Sequence, residues 1–153
     1  MSGRRTGAGL ALLAGAALCG ATGALAQADG GLAAPARSCP APDEVTHWHL
    51  YGLWQARIEG LPGTATLWLE KSANHAEGVG GNVERAEGRA LVAGDVDEGE
   101  FTLEESTDGR AISATWTGKV SEDTCGKEIL GTWSRAGDPA SYPFVLRKLP
   151  GWR

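Results

Sequence analysis

Two histidines one residue apart, His47 and His49, are the first side chains in this sequence whose type and spacing suit chemistry. On an extended chain both imidazoles project from one face, as a shared Zn²⁺ or Cu²⁺ requires. A third ligand is needed, and His75 is the one remaining histidine. Solvated histidines at a strand end explain the pair without an ion, so no metal site is assigned. From Asp95 to Asp108 the chain reads DVDEGEFTLEESTD, seven carboxylates and no base. As a calcium loop it fails: glycine falls at the fifth position instead of the sixth, and Ser106 replaces the closing glutamate. The run reads instead as the solvated side of one hairpin. Its residues Asp95, Asp97, Glu98 and Glu100 are candidates for docking a basic protein partner. Paired carboxylates for glycoside hydrolysis need a sugar cleft that the spacing does not indicate. There is no G-x-S-x-G, no glycine loop opening a helix and no cysteine with a base nearby. The chain is therefore read as non-enzymatic, with no catalytic residue and no cofactor.

The tryptophans carry the other candidate site. Trp54, Trp116 and Trp133 fall in phase with the apolar residues of their segments, whereas Trp68 falls on a polar side. Trp48 and Trp152 lie near the ends of the folded region. An interior enclosed by eight strands has room for side chains or for one small ligand. The leading expectation is a small apolar or aromatic ligand held by Trp54, Trp116 and Trp133. The alternative is protein docking, as an inhibitor or envelope-interaction module, through the acidic 95–108 hairpin.

Strands must position these residues. Trp54, Ala56 and Ile58 alternate with Gln55, Arg57 and Glu59, and Ala65, Leu67 and Leu69 alternate with Thr66, Trp68 and Glu70. Phe101 and Leu103 alternate with Thr102 and Glu104; Ile112, Ala114, Trp116, Gly118 and Val120 alternate with Ser113, Thr115, Thr117 and Lys119. This period of two marks strands with one buried face. Eight strands are predicted, near 48–59, 64–71, 76–84, 88–96, 99–106, 110–120, 126–135 and 142–148. Turn signals separate them, of which Asp108-Gly109 predicts a tight type I′ hairpin. Glycines 78, 80 and 81 in the third strand suit a bend or bulge at a barrel corner. A meander of this length leaves two open edges unless it closes. The fold class is all-β: a small antiparallel up-and-down β-barrel of about eight strands, over residues 47–153.

Gly52-Leu53-Trp54 opens the first strand, Gly131-Thr132-Trp133 lies on the seventh, and the last ends Phe144-Val145-Leu146-Arg147-Lys148. The chain thereby resembles the calycin barrels, the lipocalins and avidins. The resemblance implies that Gly52 and Trp54 plug the closed end and that a basic residue of the final strand, here Arg147, packs across the indole. Ala56 stands where avidins place a polar ligand contact, and the last strand has no acid, so biotin binding is not carried over.

Residues 1–26 read as a secretory signal: Arg4 and Arg5, an uncharged run from Gly9 to Gly23, and Ala24-Leu25-Ala26 before the cut. The run is mostly Ala and Gly, too weakly apolar for a membrane span. Leu18 stands where a lipobox wants a small residue before Cys19, which argues against a lipid anchor. Residues 27–46 read as an Ala/Gly/Pro-rich arm. Cleavage leaves Cys39 and Cys125, an even pair that in an exported chain predicts one disulfide. The location is then periplasmic or secreted. The whole chain has 14 basic and 19 acidic residues, and a net charge of −5 opposes nucleic acid as a partner.

Overall fold

The structure, a computed structural model, describes residues 39–151. The signal sequence with Cys19, residues 27–38 of the arm, and Trp152 lie outside the described residues. Eight strands follow: β1 (Gly52–Ile58), β2 (Ala65–Lys71), β3 (Val79–Arg85), β4 (Gly88–Asp97), β5 (Glu100–Ser106), β6 (Ala114–Val120), β7 (Glu128–Arg135) and β8 (Ser141–Lys148). Each pairs antiparallel with the next, and β8 pairs back to β1, closing the barrel in sequence order. Closure leaves no strand edge unpaired, which is the expected answer to an eight-strand meander.

The inward phase is the apolar one. Trp54, Leu67, Val83, Val92, Phe101, Leu103, Trp116, Ile129, Trp133, Phe144 and Leu146 are all buried in one core. Gly81 belongs to β3 without a bulge: the strand stays in continuous register with β2 and β4. Its φ of +146° and the 1.9 Å that would separate a Cβ from the Trp68 carbonyl oxygen explain why a side chain is excluded there.

One end of the barrel is shut by the segment before β1. A 3-10 turn at Pro42–Glu44 leads into one helical turn, α1 (His47–Leu50), packed against β2. The disulfide Cys39–Cys125 ties this segment to the β6–β7 loop, with Cα atoms 4.9 Å apart and a sequence separation of 86. Leu50 and Val45 are buried under it. Here the strand prediction begins too early, because residues 48–51 do not belong to β1. Gly52, at φ +128°, lets the chain leave α1 and enter the sheet directly.

The other end is bordered by the loops 59–64, 86–87, 107–113 and 136–140, and no helix of the described residues lies across it. Loop 107–113 replaces the predicted two-residue hairpin. Gly109 alone has positive φ, at +72°, whereas a type I′ turn needs it at both central positions. The Asp108 side chain instead accepts from the backbone N–H of Arg110 and of Ala111, each at 2.9 Å. An aspartate offered these local donors folds its own turn and delays β6 to Ala114.

Candidate functional site

In β5 the inward phase continues past Phe101 and Leu103 to Glu105, a carboxylate only 2% exposed. A buried carboxylate needs donors to replace water. Its Oε1 accepts from Trp116 Nε1 at 2.7 Å, from Trp133 Nε1 at 3.0 Å, and from the Arg85 guanidinium. The strands deliver these groups by register. Leu103 faces Trp116 and Trp116 faces Trp133, so Glu105 sits one inward step nearer the open end. Arg85 closes β3 in the phase of Val79 and Val83.

A cleft of about 250 Å³ opens beside this cluster at the uncapped end. Its lining includes Arg85, Arg135, Trp133, Ser113, Glu105 and Glu87, with the exposed Arg89 also contributing. The guanidinium carbons of Arg85 and Arg135 lie 5.3 and 5.4 Å from the Trp133 ring centroid. Two polar atoms in the lining residues are buried without a partner: Arg85 Nε and Ser113 Oγ. Three arginines therefore converge with two glutamates on one mouth of an acidic protein. Arg85 also borders a crevice of about 10 Å³ under residues 61–64, room for one water at most. A broader groove of about 570 Å³ crosses the outside of β3 and β4. Its walls hold none of the buried unpartnered polar atoms.

The three tryptophans proposed as ligand contacts are all interior, but the fold does not gather them around one space. Trp54 lies toward the shut end, where its Nε1 donates to the Leu50 carbonyl oxygen at 2.7 Å. Trp116 packs edge-on against Phe144, with ring centroids 4.8 Å apart. Only Trp133 borders the cleft. All three indole N–H groups already have acceptors, so none is left for a ligand.

Gly52 and Trp54 stand at the shut end as the resemblance implies, but Arg147 does not cover the indole. Arg147 is an exposed residue whose Nε donates to Glu128 across β7 at 2.8 Å. Lys148 takes the role: its Nζ lies 5.6 Å from the Trp54 ring centroid and donates to the His49 carbonyl oxygen at 2.6 Å. The cause is parity, since Phe144, Leu146 and Lys148 share the inward phase of β8 and Arg147 does not. Burial, with the positive charge of Lys127 adding to it, holds the Lys148 ammonium below the usual lysine pKa.

Asp95, Asp97, Glu98 and Glu100 are exposed on the β4–β5 hairpin at the shut end, with Glu100 paired to Lys119. His47 and His49 lie in α1, not on a strand face, and His49 Nδ1 accepts from the Thr46 backbone N–H at 3.0 Å. No group of three or more metal-ligating side chains occurs among the described residues. Sequence reasoning left Glu105 on the solvated side of the 95–108 hairpin and did not single out Arg85 or Arg135. The signal was present, because each continues the inward phase of its own strand. Compared with known proteins, the chain matches no family model and no curated sequence.

Proposed function

We propose that this protein is an exported, non-enzymatic β-barrel that binds a small molecule at the open end of the barrel. The observation that carries the reading is the cleft beside Trp133, with Arg85 Nε and Ser113 Oγ buried in its lining and unpartnered. Buried polar atoms are costly unless hydrogen-bonded, so two of them on one concavity favour a polar occupant. The packed interior around Trp54 and Trp116 argues for a ligand at the mouth and not deep between the three indoles. At about 250 Å³ the cleft falls just below the ~300–1,000 Å³ of drug-sized sites, which suits a metabolite-sized ligand. The Gly52-x-Trp54 plug, the basic residue across it and the closed eight-strand meander support a calycin-like relationship. The Cys39–Cys125 disulfide supports export.

Native mass spectrometry of the gently purified full-length chain tests this reading. A retained adduct of small-molecule mass is expected in the wild type and its loss in Thr107→Trp, which plugs the cleft from an exposed lining position. An adduct unaffected by the plug, or no adduct under any gentle condition, would defeat it.

A further inference from the structure

The reading above leaves the ligand's chemistry open, and the cleft narrows it. Every acceptor-seeking group that the core can satisfy is satisfied: the Trp116 and Trp133 N–H groups and one arm of Arg85 are spent on a single oxygen of Glu105. Apart from the second Glu105 oxygen, what remains around the cleft is mainly donor capacity. Arg85 Nε is buried without an acceptor, and a guanidinium can only donate. Among the described residues Arg135 forms no ion pair, and its guanidinium lies over the Trp133 ring. Ser113 Oγ, also buried and unpartnered, can donate as well. With the Glu105 charge held by Arg85, the lining sets Arg135 and Arg89 against one further carboxylate, Glu87, while Arg89 on the outer side of β4 also stands opposite Glu84. Donors and positive charge thus outnumber acceptors and negative charge in this concavity.

We propose that the cleft binds a small organic carboxylate, to which Arg85 Nε–H and Ser113 Oγ–H donate, with Arg135 supplying the second positive charge at the rim. The inference rests on the proposed binding function and adds the ligand class to it. A planar carboxylate suits the fork of a guanidinium, and the organic remainder lies against Trp133 and the stems of the two arginines. Glu105 is a positioning residue here: it fixes Arg85 through one nitrogen and leaves Nε for the ligand.

The test uses charge-matched probes of one shape. Isothermal titration calorimetry of the disulfide-bonded protein at low salt is run with benzoate, benzamide, benzylamine and inorganic phosphate, each to millimolar concentration. Benzoate is expected to bind at least about tenfold more tightly than benzamide, with no heat from benzylamine. Arg135→Gln, at an exposed position, is expected to weaken benzoate about tenfold and leave benzamide unchanged. Arg85→Lys, which keeps the charge opposite Glu105 but removes the Nε donor, should weaken benzoate as well. Benzamide or benzylamine binding as tightly as benzoate, with Arg135→Gln having no effect, overturns the carboxylate assignment while leaving the cleft a binding site. A response to phosphate alone also overturns it. Silence from all four probes defeats the binding function itself.

Discussion

Removing Arg85 while keeping Glu105 should be among the most destructive single changes this barrel can suffer short of a core cavity. The carboxylate is 2% exposed and the Arg85 side chain 16%. Truncating one member of such a pair leaves the other buried and uncompensated, at a cost of ~3–5 kcal/mol. Arg85→Met is placed in that range, because the two indole donors keep Glu105 hydrogen-bonded but supply no counter-charge. Glu105→Gln keeps an amide oxygen for the indoles and loses only the charge, for ~1.5–3 kcal/mol. The double variant restores electroneutrality, so its cost should fall well short of the sum, with a coupling of at least ~2 kcal/mol. Urea unfolding of all four proteins, followed by tryptophan fluorescence with the disulfide intact, gives the cycle. Additive costs, or a loss below ~1 kcal/mol in Arg85→Met, would refute the claim that this pair is a desolvated unit.

The two basic residues ending β8 should behave oppositely. Lys148→Met is expected to cost ~1.5–3 kcal/mol through the lost bond to the His49 carbonyl oxygen, while Arg147→Ala, an exposed pair, costs below ~1 kcal/mol by the same denaturation assay. Burial lowers the Lys148 pKa, so between that value and 10.5 the unfolded chain holds more protons. Stability contributed by this group therefore rises as pH climbs through that window, and the wild-type minus Lys148→Met difference in urea midpoint should report it. Asp108 is held below 3.8 first by the Ala111 N–H and then by that of Arg110. Its stabilisation is present above 3.8 and lost as pH falls through the lowered value, and carboxyl NMR titration of wild type against Asp108→Asn checks it. Replacing Cys39 and Cys125 by serine should remove up to ~4–5 kcal/mol, because the disulfide closes a loop spanning most of the domain. An unchanged unfolding midpoint would contradict that.

How far the sequence carries depends on which rule governs each part. Six of the eight strands lie within about three residues of their predicted limits, because one periodic signal and closure of edges determine them together. The exceptions are local competitions that period-two reading does not weigh. Gly52 permits a helical turn directly against β1, and Asp108 makes its own turn where a tight hairpin was expected. At the site, alternation alone would have put Glu105 inside with Phe101 and Leu103, Arg85 with Val83, and Lys148 with Leu146. These residues were passed over since charged side chains are read as solvent-facing unless a partner is visible. The partners come from strands up to 48 residues away, as Arg85 and Trp133 do, and only barrel closure brings them together. That Trp54 and Trp133 do not share one space also needs the register, which sets Trp54 toward the shut end.

On the proposed function, a ligand sits at the mouth beside Trp133 and not at the shut end beneath Trp54. The indole N–H resonances in a ¹H–¹⁵N spectrum separate those two places directly. On addition of benzoate, the Trp133 resonance is expected to move in a saturable way, with Trp54 unmoved. A shift at Trp54 with Trp133 still, or no saturable shift at either, would contradict it.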